Sequence, residues 1–227
     1  LAGLRPGRHL ELVPYASARA DFVEPPAGDS PWNDGSRSAA GVGLDLEYGL
    51  GTALTLVGAS NPDFGQVEVD PAVVNLTAFE RFFEEKRPFF TEGSQVFLRF
   101  GRSGSSDYTT FFYPEPLLFY PRRIGRQPRG SPALGDGEYS IQPGQTTIIG
   151  AGKLTGRIGR FSVGALAAAT QEEFANVAFG STRRNEVVEP GSFFSVSRAR
   201  REFADQSSLG LILTTTNRRL TESVSFL

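Results

Sequence analysis

Over long stretches of this chain, apolar and polar residues alternate at every second position, as in strands whose side chains point to opposite faces. From His9 to Phe22 the even positions carry Leu10, Leu12, Pro14, Ala16, Ala18, Ala20 and Phe22, while the odd positions are mostly polar. Between Ala40 and Leu50 the faces separate more cleanly. Ala40, Val42, Leu44, Leu46, Tyr48 and Leu50 lie on one, and Gly41, Gly43, Asp45, Glu47 and Gly49 on the other. Thr52–Ser60, Thr146–Arg157, Phe161–Thr170, Ser192–Phe203 and Ser207–Asn217 are further predicted strands. The sixth of the seven alternates poorly, because Arg198, Arg200 and Arg201 crowd it. The pattern predicts an all-β, antiparallel up-and-down meander.

Several of these strands reach ten residues or more. Soluble strands cluster near about 5–6 residues, whereas a tilted strand crossing a bilayer needs about 9–11. The connections alternate too. Tight turns fall at Gly49–Gly51, Gly156–Gly159 and Ala204–Gln206, and long links at Val23–Ser38, Asn61–Gln145 and Gln171–Gly191. Short turns on one side and long loops on the other are the habit of outer-membrane barrels. The expectation is therefore a fragment of an outer-membrane-type β-barrel, one partial domain over residues 1–227 with an inserted, plug-like segment at 61–145. Phe22, Tyr48, Phe161 and Phe203 at strand ends could form interfacial girdles, although aromatics are also simply good strand formers. A soluble β-sandwich with one wet face would give the same alternation and stays open as an alternative.

Composition narrows the function classes. Hydrophobic residues make up 39% of 227, too many for a disordered chain, and 26 Gly with 15 Pro suit turns and strands. With 25 acidic and 23 basic residues the net charge is −2, so no global basic field exists to hold nucleic acid. There is no Cys, which excludes disulfides and thiolate chemistry, and the single His9 leaves zinc clusters and a Ser-His-Asp triad without a second imidazole. No apolar run is long enough for a transmembrane helix. There is also no Met, and the chain opens on Leu1, so a piece of a longer protein is expected.

The central segment, Asn61–Gln145, breaks the alternation and concentrates the distinctive residues. Asp70-Pro71 reads as an N-cap followed by proline in the first turn, predicting a short helix from Pro71 to about Lys86, ended by Pro88. The segment is too rich in Phe and Tyr to be disordered, and it is expected to fold back into the lumen as constriction loops and plugs do. A small lobe on the barrel rim is the alternative. Candidate binding residues are Glu68, Asp70, Glu84, Glu85, Lys86, Arg87, Arg122, Arg123 and Arg126. The last three offer bidentate contacts to an anionic group, unless they pair internally with Glu80, Glu84, Glu85 or Asp70.

Other motifs fail on spacing. Gly150-Ala151-Gly152-Lys153-Leu154-Thr155 lacks both the leading glycine and the hydroxyl directly after the lysine that a phosphate loop requires. Asn61-Pro62-Asp63-Phe64-Gly65 reads as a turn, and a calcium site on Asp63, Glu68 and Asp70 lacks the remaining ligand spacing. Asn75-Leu76-Thr77 fits a glycosylation sequon but lies inside the predicted helix. No metal, cofactor or catalytic residue is expected.

At Asn61–Gly93 the run NPDFGQVEVDPAVVNLTAFERFFEEKRPFFTEG closely resembles the signature of a bacterial family, domain of unknown function 5916. LFYPRRIGR (Leu118–Arg126), IIGAGKLTGRIGRFSVGAL (Ile148–Leu166) and TTTNRRL (Thr214–Leu220) resemble its later blocks in the same order. The resemblance implies a membrane-associated, β-rich region that usually follows a domain resembling family-9 carbohydrate-binding modules. It brings no catalytic residues. Together these readings predict a bacterial outer-membrane protein in contact with lipid, binding or passing a glycan or other polar solute. The alternatives are a glycan-processing enzyme using the central carboxylates and a soluble β-sandwich binding module.

Overall fold

The computed structural model describes residues 9–22, 31, 36–62, 82–98, 104–106, 109–113 and 117–220. Seven strands form one antiparallel sheet: β1 (Leu10–Phe22), β2 (Ser36–Leu50), β3 (Leu54–Ser60), β7 (Ile148–Ile158), β8 (Phe161–Thr170), β11 (Ser192–Glu202) and β12 (Ser208–Arg218), adjacent in that order. Within the insertion lie β4 (Gly104–Ser106), β5 (Thr109–Tyr113) and β6 (Tyr139–Ile141). Two further strands, β9 (Glu173–Phe179) and β10 (Thr182–Glu189), form a hairpin, and β6 pairs with β9 to make a three-stranded sheet. All seven long strands predicted from alternation are present, within a few residues of their expected ends. No pairing closes β1 onto β12 among the described residues, so the architecture is an open antiparallel meander.

Register fixes which residues share a face. Leu12 opposes Leu46, Leu46 opposes Gly58, Gly58 opposes Gly152 and Gly152 opposes Ala167. Following such pairs outward puts Leu10, Leu12, Val42, Leu44, Leu54, Leu154, Ile158, Phe161, Val163, Ala199, Leu209, Leu211 and Leu213 on one face. The opposite face carries Glu11, Tyr15, Asp45, Glu47, Lys153, Thr155, Arg198 and Thr214 together with the apolar Val13, Val57, Leu166, Phe194, Val196 and Ile212. The core lies on this second, mixed face. There Phe89, Phe90, Phe97 and Ile124 of the insertion pack with Ala59, Ile148, Leu166, Ala168 and Val196 of the sheet.

The strands flanking the insertion are themselves neighbours, with Ser60 opposite Gly150, so the insertion leaves and re-enters at one place. Asn61 ties down the exit. Its backbone N–H donates to the Ile149 carbonyl at 2.9 Å, its side-chain amide donates to Val42 O at 2.6 Å, and its carbonyl accepts from Tyr15 Oη at 3.1 Å.

Two local expectations need correction. The predicted helix over Pro71–Lys86 lies outside the described residues up to position 81, and residues 82–87 are not helical. Instead Pro88 begins a single-turn helix, α1 (Pro88–Thr91), followed by α2 (Gln95–Leu98). Proline without an N–H fits the first turn as well as it ends a preceding helix, and here the first role wins. Gln171–Gly191 is not a loop but the β9–β10 hairpin, turned at Gly180 with φ +54°. The poorly alternating sixth strand is a full strand, because its arginines have partners: Arg198 donates to Val96 O, and Arg201 stacks on Phe161 and Phe203 at 5.6 and 4.9 Å.

Candidate functional site

The described part of the insertion is held to the sheet by buried cations. Lys153, 2% exposed on β7, donates to the carbonyls of Phe89 and Glu92 at the end of α1. A cation is favourable there, because the last carbonyls of a helical turn have no partner within it. The glycine-lysine motif that superficially suggested a phosphate loop is therefore a strand residue capping a helix. Gly164 on β8 makes room for α2, since a Cβ at that position would lie 2.6 Å from Val96 and 2.9 Å from Phe97.

Arg87 is an anchor within the insertion itself. Its guanidinium makes two parallel bonds to Glu85, Nε to Oε1 and Nη2 to Oε2, both at 2.7 Å. It also donates to Ile124 O at 2.6 Å and Pro121 O at 2.9 Å, and lies 4.2 Å over the Phe90 ring. Two sequence-predicted binding residues, Glu85 and Arg87, are thereby engaged with each other and with the 3₁₀ turn Pro121–Arg123. Arg122 Nε donates to the Glu84 carbonyl at 2.6 Å, so Glu84 contributes backbone to this link. Lys86 lies between the Glu85 and Arg87 anchors. Glu68, Asp70, Glu80, the calcium candidate Asp63 and the sequon at Asn75 fall outside the described residues.

Arg123 and Arg126 sit elsewhere. They line a cavity of about 200 Å³ between the insertion and the long-loop ends of β11 and β12, together with Arg129 and Arg218. The hydroxyl residues Thr214 and Thr216 line it from β12, and Phe119 and Phe194 add apolar surface. Thr214, Thr216 and Arg218 share the mixed face of the sheet by their two-residue spacing. Arg126 meets Glu189 of β10 at 3.6 Å, so its carboxylate partner is none of those expected from the sequence. Burial pushes the Arg126 pKa below its ordinary value, repulsion from Arg129 and Arg218 pushes the same way, and Glu189 opposes both. Its backbone is fixed independently, since the Arg126 carbonyl accepts from both the N–H and the hydroxyl of Thr146 at 2.9 and 2.7 Å.

The β9–β10 hairpin supplies the third side of this arrangement. Glu189 Oε2 accepts the Arg129 N–H at 2.9 Å, and Glu173 Oε1 accepts the Thr147 N–H at 2.7 Å. Gly130 N–H donates to Val188 O at 2.9 Å, and a Cβ on Gly130 would come within 2.6 Å of that oxygen. Arg184 bonds to Glu138 at 2.7 Å and pairs with Glu186. Sequence reasoning missed Arg129 and Arg218 because they lie 89 positions apart, and only the packing of the insertion against the end of β12 brings them together.

Among the described residues, no group of three or more His, Cys, Asp or Glu side chains is gathered as a metal site would require. A family model described as a domain of unknown function, DUF5916, matches residues 6–223. No curated protein and no solved structure matches the chain significantly.

Proposed function

The chain belongs to the DUF5916 family, and from the two faces of its sheet we propose that it forms part of the wall of a bacterial outer-membrane β-barrel. The insertion folds against the inner surface and binds or passes a polar solute such as a glycan. One observation carries this reading: the insertion packs on the mixed face and leaves bare the mainly apolar face, which Ser195, Ser197 and Arg201 interrupt only on β11 and Thr215 and Asn217 at the end of β12. Val42 is 72% exposed and Leu209 and Leu211 are each 70% exposed. A soluble two-layer fold would bury its most apolar face.

Magnitude supports the same conclusion. Six strand spacings of about 4.8 Å, with apolar runs of about 13–40 Å along each strand, give a face on the order of 700 Å². The largest apolar patch on a soluble monomer is about 300–600 Å². At about 25 cal/mol per Å², covering this face would contribute on the order of 17 kcal/mol, comparable to the whole stability of an ordinary domain, about 5–15 kcal/mol. Lipid is the cover that suits strands of this length joined by short turns on one side and long loops on the other.

Outer membranes carrying the full-length protein, washed with urea and run unboiled and boiled on a denaturing gel, test the reading. Retention with a heat-dependent mobility shift is expected. Release by urea with unchanged mobility would assign the two faces to a soluble sheet with a protein partner.

A further inference from the structure

We propose that the cavity bounded by Arg126, Arg129 and Arg218 binds the oxyanionic group, carboxylate, phosphate or sulfate, of a small solute. The inference deepens the solute-binding reading above and rests on it. Arg126, Arg129 and Arg218 all line one small space, Arg126 half-buried and the other two exposed, and the carboxylate described with them, Glu189, is committed to Arg126 and to the Arg129 backbone. Repulsion among like charges at such a site is relieved by an anion, and guanidinium forks match the paired oxygens of a carboxylate or phosphate. The downward pressure of Arg129 and Arg218 on Arg126 is the same repulsion seen from one member.

The rest of the lining fits a polar solute. Thr214 and Thr216 bring hydroxyls from β12, and Phe119 offers a ring surface. A volume of about 200 Å³ is below the roughly 300–1,000 Å³ of sites for drug-sized molecules, so the cavity takes one charged group with its immediate carrier rather than an oligosaccharide. The cavity opens on the mixed face, the side on which the insertion lies.

Calorimetric titration of the full-length protein in detergent, with inorganic phosphate, methyl glucuronide and methyl glucoside as separate probes, tests the proposal. The two anionic probes are expected to bind at least about tenfold more tightly than the glucoside, with affinity falling as salt rises. Preference between phosphate and glucuronide tells a phosphate group from a carboxylate. Arg218→Gln and Arg129→Gln should each weaken anion binding about tenfold, while Arg218→Lys, which keeps the charge but loses the fork, should fall between. Equal affinity for glucuronide and glucoside would overturn the proposal, as would anion binding unchanged in both glutamine variants. Heat-dependent gel mobility of each variant reports the barrel separately. A variant that keeps its mobility shift but loses anion binding therefore supports the site, and wild type without the shift but with selective binding sinks only the membrane reading.

Discussion

Arg87 has more hydrogen-bonding work than any other side chain described in the insertion, and that work is structural. Removing its guanidinium in Arg87→Met breaks the Glu85 ion pair, leaving that carboxylate only the residue-87 backbone N–H, and takes the side-chain donor from the Ile124 carbonyl, at a cost of about 3 kcal/mol. Limited proteolysis should then cut the insertion near residues 82–98 at protease concentrations the wild type resists. Unchanged protection would mean the clamp adds little. Glu138 offers a pH-dependent counterpart. Its pKa lies below its ordinary 4.5 because the Arg184 hydrogen bond and the Gly135 N–H favour the charged form. A carboxylate with a lowered folded pKa stabilises fully above about 4.5 and loses that contribution as pH falls through the lowered value. Carbon-detected titration of the Glu138 carboxyl should show the depressed midpoint, and Arg184→Gln should return it towards 4.5.

At the scale of the element, what the sequence revealed followed from periodicity. Six of the seven sheet strands were legible because one face of each is mainly apolar, and register copies that face from strand to strand, whereas β11, crowded by arginines, was read less clearly. The β9–β10 hairpin was not recognised, although Ala175 and Val177 are buried between exposed Phe174 and Asn176. Its glutamates and the Arg183-Arg184-Asn185 run looked like a solvated loop, and only its pairing with β6 and its bonds to the insertion explain them. The candidate site was half legible. Arg123 and Arg126 were visible as a cluster, but their company depends on contacts between distant segments, which periodicity does not encode. Two substitutions test the elements themselves. Leu44→Arg on the apolar face should cost about 2–4 kcal/mol of stability in lipid, against less than about 1 for Ser17→Arg on the mixed face, read by the temperature at which the gel shift is lost. Gly164→Val should push α2 away from β8, exposing the insertion to protease without changing that temperature greatly.

For the molecule as a whole, the sheet and the insertion divide the labour. The sheet presents one mainly apolar surface, and the insertion is fastened to the other surface by Lys153 and Arg198, which donate to backbone carbonyls of its short helices, while Arg87 ties the insertion's own segments together. That is how the insertion is fixed without a fully apolar core: a cation on the mixed face satisfies the ends of short helical turns. The proposed solute site lies between the insertion and the end of β12, with the β9–β10 hairpin bonded to Arg126 and Arg129 through Glu189.

The central claim is that the apolar face lies against lipid, and the absence of Cys from the sequence makes it directly measurable. Leu44 and Asp45 are neighbours on β2 with opposite facing. A fluorophore attached to Leu44→Cys or to Asp45→Cys, in the full-length protein reconstituted with lipids brominated along their chains, reports whether each face touches the bilayer. The account predicts strong quenching at position 44 and little at 45. Equal quenching at both, or none at 44, would contradict it.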